Sequence, residues 1–103
     1  MSTLIVLFNL KKGQSVEDYE KFAREVDVPG IQSLRSIDDF KVYKSSTQLF
    51  SEEPPPYQYF EAIDVNDMDT FGQEVQDERV QEIAGKFQEM VESPTFILTE
   101  QIA

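Results

Sequence analysis

Residues 3–10 read Thr-Leu-Ile-Val-Leu-Phe-Asn-Leu (TLIVLFNL) and stop at Lys11-Lys12-Gly13. Large and β-branched apolar residues follow one another there without polar alternation. That pattern belongs to a central strand buried on both faces. A central strand needs neighbours on each side, and the rest of the chain supplies three. Phe40 to Phe50 (FKVYKSSTQLF) reads as a second, longer strand. It ends at SEEPPP, residues 51–56, where three prolines fix an extended connection that cannot pair in a ladder. Tyr57 to Val65 (YQYFEAIDV) is a third strand, with Tyr57, Tyr59, Glu61, Ile63 and Val65 on one face. Thr95 to Ile102 (TFILTEQI) is a fourth.

Two helical regions lie between the strands. Ser15 stands three residues before Asp18, close to a capping box. Val16, Tyr19, Phe22, Ala23 and Val26 then form one apolar stripe, and Pro29-Gly30 is predicted to end the helix. After the third strand, Asn66 or Asp67 caps a stretch carrying Met68, Phe71 and Val75. Asp77-Glu78 marks a break or a second start. Val80, Ile83, Ala84, Phe87 and Val91 follow at helical spacing, and Ser93-Pro94 closes that helix. Gly85 inside it costs roughly 1 kcal/mol against Ala, which predicts close packing on that side.

The order is βαββαβ over a single domain, residues 1–103. This is the ferredoxin-like α+β arrangement, an antiparallel sheet with helices on one face. Strands one and four are apolar on both faces, since Ile5 and Val6, and Ile97 and Leu98, all need burial. A second copy stacked sheet to sheet would bury them, so a homodimeric α+β barrel is expected.

The 103 residues carry 20 acids against 9 bases, a net charge of −11, with no His, Cys or Trp. Without Cys there is no disulfide, thiolate nucleophile or iron–sulfur cluster. Without His there is no Ser-His-Asp triad and no imidazole metal ligand. Catalysis would rest on carboxylates, Tyr, Lys, hydroxyls or backbone groups. The acidity argues against nucleic acid and against anionic membrane surfaces. The apolar start is too short for a membrane span and lacks the flanks of a signal peptide, so a cytoplasmic protein is expected. The charge is uneven. Residues 1–51 are neutral, and the whole excess lies in residues 52–103, where Arg79 and Lys86 are the bases. That half is either a solvated face or a surface selecting a basic partner.

The opening LIVLFNLKKGQSVEDYEKFAREVDVPGIQSL resembles the EthD-like branch of dimeric α+β barrel proteins. Over essentially the full length, the chain is similar to the RedY/HapK-like proteins of prodiginine pigment clusters. DVPGIQSLRSIDDFKVYKSS, YQYFEAIDV and ESPTFILTEQI carry that similarity. The resemblance implies a role in making the bipyrrole half of a tripyrrole red pigment. It also implies kinship with cofactor-independent cyclases acting on aromatic intermediates. EthD-like relatives often carry a His just before the helix ending, and here Asp27 stands near that position. Haem-degrading and quinone-forming relatives use His or Trp that this chain lacks.

Candidate residues follow from what remains. Glu61 lies mid-strand on an otherwise apolar face, so it is paired, protonated or functional. A salt bridge to Lys41, Lys44 or a dimer mate is the alternative to a catalytic role. Asp27 either caps the turn into Pro29 or acts as a base, provided burial raises its pKa. Tyr59 and Tyr43 carry hydroxyls able to hold a carbonyl or pyrrole-linked oxygen, or else they are packing residues. Asn9 is a strand-end cap or a ligand contact. Arg24 and Arg35 would hold a carboxylate or form surface ion pairs. Phe22, Phe71 and Phe87 wall a pocket or fill the core. Asp64, Asp67 and Asp69 lack the Gly turn and terminal Glu of a calcium loop and read as helix-capping residues, so no metal is expected. No cofactor is expected.

Two functions fit these residues. One is a homodimer that binds a pyrrole or bipyrrole intermediate and performs cyclisation, dehydration or tautomerisation, with Glu61 or Asp27 moving a proton. The other is a non-catalytic carrier or chaperone that docks on a pathway enzyme through the acidic second half.

Overall fold

In a computed structural model that describes residues 2–103, the four strands form one antiparallel sheet in the order β2-β3-β1-β4. The strands are β1 (Ser2–Leu10), β2 (Ile37–Lys44), β3 (Tyr59–Val65) and β4 (Val91–Thr99). The apolar run that opens the chain is central, between β3 and β4. Four α-helical segments complete the fold: α1 (Val16–Phe22), α2 (Val28–Gln32), α3 (Met68–Glu74) and α4 (Glu78–Met90). A π-helical turn, Ala23–Asp27, joins α1 to α2.

Side-chain alternation places Val6, Phe8 and Leu10 of β1 beside Tyr59, Glu61, Ile63 and Val65 of β3, all buried under the helices. Phe8 stacks on Tyr59 with ring centres 5.6 Å apart and meets Tyr19 and Phe87 edge-on at 5.6 and 5.0 Å. Tyr19 and Tyr59 lie 4.8 Å apart. The sheet's other face carries Ile5, Leu7, Phe60, Ala62 and Ile97 at paired positions.

Side chains terminate the elements as their chemistry dictates. Ser15 accepts from the Asp18 amide at 3.2 Å. Asp67 accepts from the amides of Asp69 and Thr70, and Asp77 from that of Arg79, so Asp77 starts a second helix. Glu74 receives the amides of Arg35 and Ser36, both at 3.0 Å, and pins the entry to β2.

Four expectations are corrected. Strand β2 stops at Lys44, because its pairing with β3 runs out at Tyr59 and the prolines beyond supply no donors. Leu49 and Phe50 are consequently on an exposed turn. The first helical region does not end at Pro29-Gly30 but runs through to Gln32. Helix α4 ends at Met90, and β4 begins at Val91 and stops at Thr99, with Ser93 at φ 44° where the register to β1 shifts. Gly85 faces open space, with nothing within 4 Å of a Cβ built there. The close approach is at Gly30, where a Cβ would lie 2.5 Å from Ile83 Cδ1.

Candidate acid–base site

The site begins with the way the first helix passes its proline. Pro29 has no N–H to donate, and its ring excludes the carbonyl four residues back. The chain widens by one residue before it, and the Val28 amide donates to the Ala23 carbonyl five residues behind. The widened turn rotates less per residue, so Asp27 keeps to the inward face already occupied by Tyr19 and Ala23. Val26, which the apolar stripe assigned inward, is 36% exposed, while Asp27 is 5% exposed.

Directly below, β3 presents Glu61, 4% exposed, flanked by Tyr59 and Ile63 on the same face. The two carboxyl groups hydrogen-bond to each other. Two carboxylates in contact cannot both ionise in a buried site, so they share a proton. Burial pushes Asp27 up to about 7, and the bond from Glu61 pulls in the opposite direction. Glu61 is held well above the usual carboxylate range, by burial first, then by the charge on Asp27 and by the bond it donates. Glu61 is raised the further of the two, so it keeps its proton while Asp27 ionises. One member is an acid and the other a base, and they titrate as a unit.

The pair borders a cavity of about 190 Å³, whose other walls include Leu4, Ile31, Phe40, Phe71, Phe87 and Phe96. An apolar cavity of about 150 Å³ holds a benzene ring, so this one has room for a single small aromatic ring. Phe96 lines it from the edge strand and is 53% exposed.

A second cavity, of about 130 Å³, is lined by Tyr19, Tyr59, Glu20, Arg24, Val42 and Lys44 among others. Tyr59 donates its hydroxyl to Glu20 Oε2 at 2.7 Å, and Lys44 and Arg24 pair with the same carboxylate at 3.0 and 3.2 Å. The Tyr59 bond, followed by the one from Lys44, lowers the Glu20 pKa.

The sequence candidates thus separate. Glu61, Asp27, Phe71 and Phe87 meet around one cavity. Tyr59 shares their face, but its hydroxyl is committed to Glu20. Phe22 is in the core. Tyr43 projects from the opposite face of the sheet and is 54% exposed, because its β2 position pairs with Phe60 of the outward set. Asn9 also faces away: it donates to the Pro56 carbonyl and accepts from the Gln58 amide, clamping the proline loop to the end of β1. Arg24 extends into solvent beside Glu20. Arg35 enters through its backbone amide on Glu74. Asp64 accepts from the Thr3 hydroxyl at 2.7 Å, and Asp67 caps α3. Lys41 pairs with Asp39, so neither Lys41 nor Lys44 reaches Glu61.

Sequence reasoning missed Tyr19. It is fully buried, and its hydroxyl has no hydrogen-bond partner. A tyrosine in an otherwise apolar stripe opposite a strand bearing Glu61 was the available signal.

A family model described as "REDY-like protein HapK" matches residues 2–102. No curated protein matches the chain. Among solved structures, HapK from Hahella chejuensis is 24% identical with a TM-score of 0.80, covering 100% of this chain and 94% of that one. A dimeric protein of unknown function and ferredoxin-like fold from Bacteroides fragilis is 14% identical, TM-score 0.69, covering 97% and 95%. A hydroxynitrile lyase from Passiflora edulis is 12% identical, TM-score 0.81, covering 99% and 94%. At such identities these likenesses establish the ferredoxin-like fold. With the family match spanning all but the two ends, the chain belongs to the REDY-like HapK family.

Proposed function

We propose that this protein acts in prodigiosin-type pigment biosynthesis, on the bipyrrole branch. It binds an aromatic pyrrole intermediate in the Asp27–Glu61 cavity and catalyses a cofactor-independent cyclisation, dehydration or tautomerisation. The observation that carries the reading is the buried carboxyl pair at the edge of a ring-sized apolar cavity. Each of those reactions takes a proton from one atom and delivers one to another: tautomerisation shifts the proton, dehydration protonates the departing hydroxyl so that it leaves as water, and cyclisation deprotonates the attacking atom while the acceptor is protonated as the ring bond forms. Asp27, poised near neutrality, takes a proton, and protonated Glu61 returns one, so no external acid or redox group is required. The apolar walls strengthen both roles by excluding water. The family link to prodiginine clusters supports the choice of substrate.

We further propose that the working form is a homodimer. Ile5, Leu7, Phe60, Ala62 and Ile97 form an apolar outward sheet face, and Ile97 on β4 is about half exposed. A stacked second copy would cover that face.

The test is the Asp27→Asn/Glu61→Gln double variant in a pigment-producing host. Loss of bipyrrole output with folded protein present supports the catalytic reading, and unchanged output overturns it. The carrier reading draws on a different observation, the exposed acids Asp77, Glu78, Glu82 and Glu89 around α4. Reversing those four charges would lower pigment yield if α4 docks on a pathway enzyme, and would leave it unchanged if the cavity alone matters.

A further inference from the structure

We propose that the molecule taken up by the Asp27–Glu61 cavity carries an apolar substituent, which leaves through the cavity mouth and lies on Phe96 and Leu98 of β4 while the ring stays inside. The inference rests on the functional reading for the ring and deepens it by naming the class of substrate that the cavity's surroundings fit.

The lining locates the mouth. Of the side chains around the cavity, Ala84 and Gln88 of α4 and Phe96 of β4 are the ones exposed to solvent, while Asp27 and Glu61 are buried. The opening therefore lies between α4 and β4, an edge strand in the order β2-β3-β1-β4. Pairing sets Phe96 opposite Val6 and Leu98 opposite Leu4, so both follow the helix-side face of β1. On β1 the helices cover that face, and Val6 is fully buried. On β4 the cover stops, and Phe96 and Leu98 are 53% and 52% exposed. Leu4 lines the cavity and also stands directly opposite Leu98. Side chains opposite each other in antiparallel strands are neighbours, with Cβ atoms about 5 Å apart. An apolar strip thus runs from the cavity wall at Leu4 and Phe96 out to Leu98.

Size and side identify what covers the strip. The cavity of about 190 Å³ holds one small ring, so any further apolar part of the ligand lies outside it. A second copy stacked on the outward sheet face would meet Ile97, whose side chain points away from Phe96 and Leu98, and would leave the strip free. Leu4, Phe96 and Leu98 offer no charge or hydrogen bond, so the strip selects an uncharged alkyl or aryl group.

Phenol and 4-butylphenol test this, because they share the ring and differ only in a four-carbon tail. NMR titration of the full chain measures both affinities. A fully buried methylene improves binding about fourfold, and one covered on a single side about twofold, so the tail should gain about tenfold in the unmodified protein. Leu98→Thr keeps a β-branched residue on the strand and should cut that gain to about threefold or less. Equal affinity for the two probes overturns the proposal and leaves the cavity reading intact. A gain that Leu98→Thr does not reduce also overturns it. If neither probe binds, the cavity reading falls and the proposal with it. Loss of dimer mass in Leu98→Thr would assign the strip to the second copy and overturn the proposal as well. Should the variant not fold, nuclear Overhauser contacts in the unmodified protein decide: the tail protons should meet the Leu98 methyl groups, and their absence at saturation overturns the proposal. Because the readout is binding, full pigment output from Glu61→Gln would remove the catalytic reading and retain the substituted ligand.

Discussion

Replacing Asp27 with Asn removes a buried charge and keeps the shape and a carbonyl oxygen that still accepts the Glu61 proton. Asp27 moves from its ordinary 3.8 to about 7 on folding, a displacement of about 3 units. At 1.36 kcal/mol per unit, the folded state loses about 4 kcal/mol as pH rises across that interval. Relaxation around the charge reduces this to about 2–4 kcal/mol. The sign follows from proton counting. Between about pH 4 and pH 7 the folded pair holds a proton that the unfolded chain has released, so stability falls as pH rises through that window. Glu61, raised in the same direction, extends the decline above it. Glu20 and Asp67 act in the opposite sense, because hydrogen bonds, from Tyr59 and Thr70 foremost, lower their pKa values. Their stabilisation is lost only as pH drops below about 4.5. The unmodified protein should therefore be most stable near pH 4, where the two trends cross. Asp27→Asn should match it there and exceed it by about 2–4 kcal/mol at pH 8. Urea unfolding followed by far-ultraviolet circular dichroism, at pH 4, 5, 6, 7 and 8 and one fixed protein concentration, measures both curves. A flat or rising stability from pH 5 to 8 in the unmodified protein would refute the shared-proton reasoning. So would an Asp27→Asn variant destabilised equally at every pH.

Three further outcomes follow from packing and caps. Gly85→Ala should raise stability by about 0.5–1 kcal/mol, since the site is exposed and open, whereas Gly30→Ala should lower it by about 1–3 kcal/mol by pressing on Ile83; thermal melts of the pair check the contrast. Asp77→Ala, which strips the cap of α4, should cost about 1 kcal/mol in the same assay. Ile97→Glu, on the outward sheet face, should give a monomer by sedimentation, and an unaltered mass for both proteins would contradict the stacked-sheet dimer.

The architecture was legible because its decisive signals are periodic. An unbroken apolar run marked β1 as central, and alternation in YQYFEAIDV put Tyr59, Glu61, Ile63 and Val65 on one face, as observed. The boundaries that went astray depend on partners distant in the sequence. Strand β2 ends where β3 runs out, and β4 starts early because its bulge at Ser93 absorbs the proline that reads as a breaker. The candidate site was legible at Glu61, whose charge interrupts an apolar face. Its pairing with Asp27 was hidden, because an α-helical period puts Val26 inward. Only the π turn before Pro29 exchanges the two residues. Tyr19 was hidden for a simpler reason: an aromatic in an apolar stripe reads as core, and only the absence of a partner for its hydroxyl sets it apart.

The central claim is that the Asp27–Glu61 pair performs the chemistry, and mass spectrometry of pathway intermediates tests it most directly. A deletion strain would be compared with the same strain expressing folded Glu61→Gln. The account predicts that both accumulate the same pyrrole intermediate, because the variant retains the cavity and lacks the proton transfer. Full conversion of that intermediate by Glu61→Gln would contradict it.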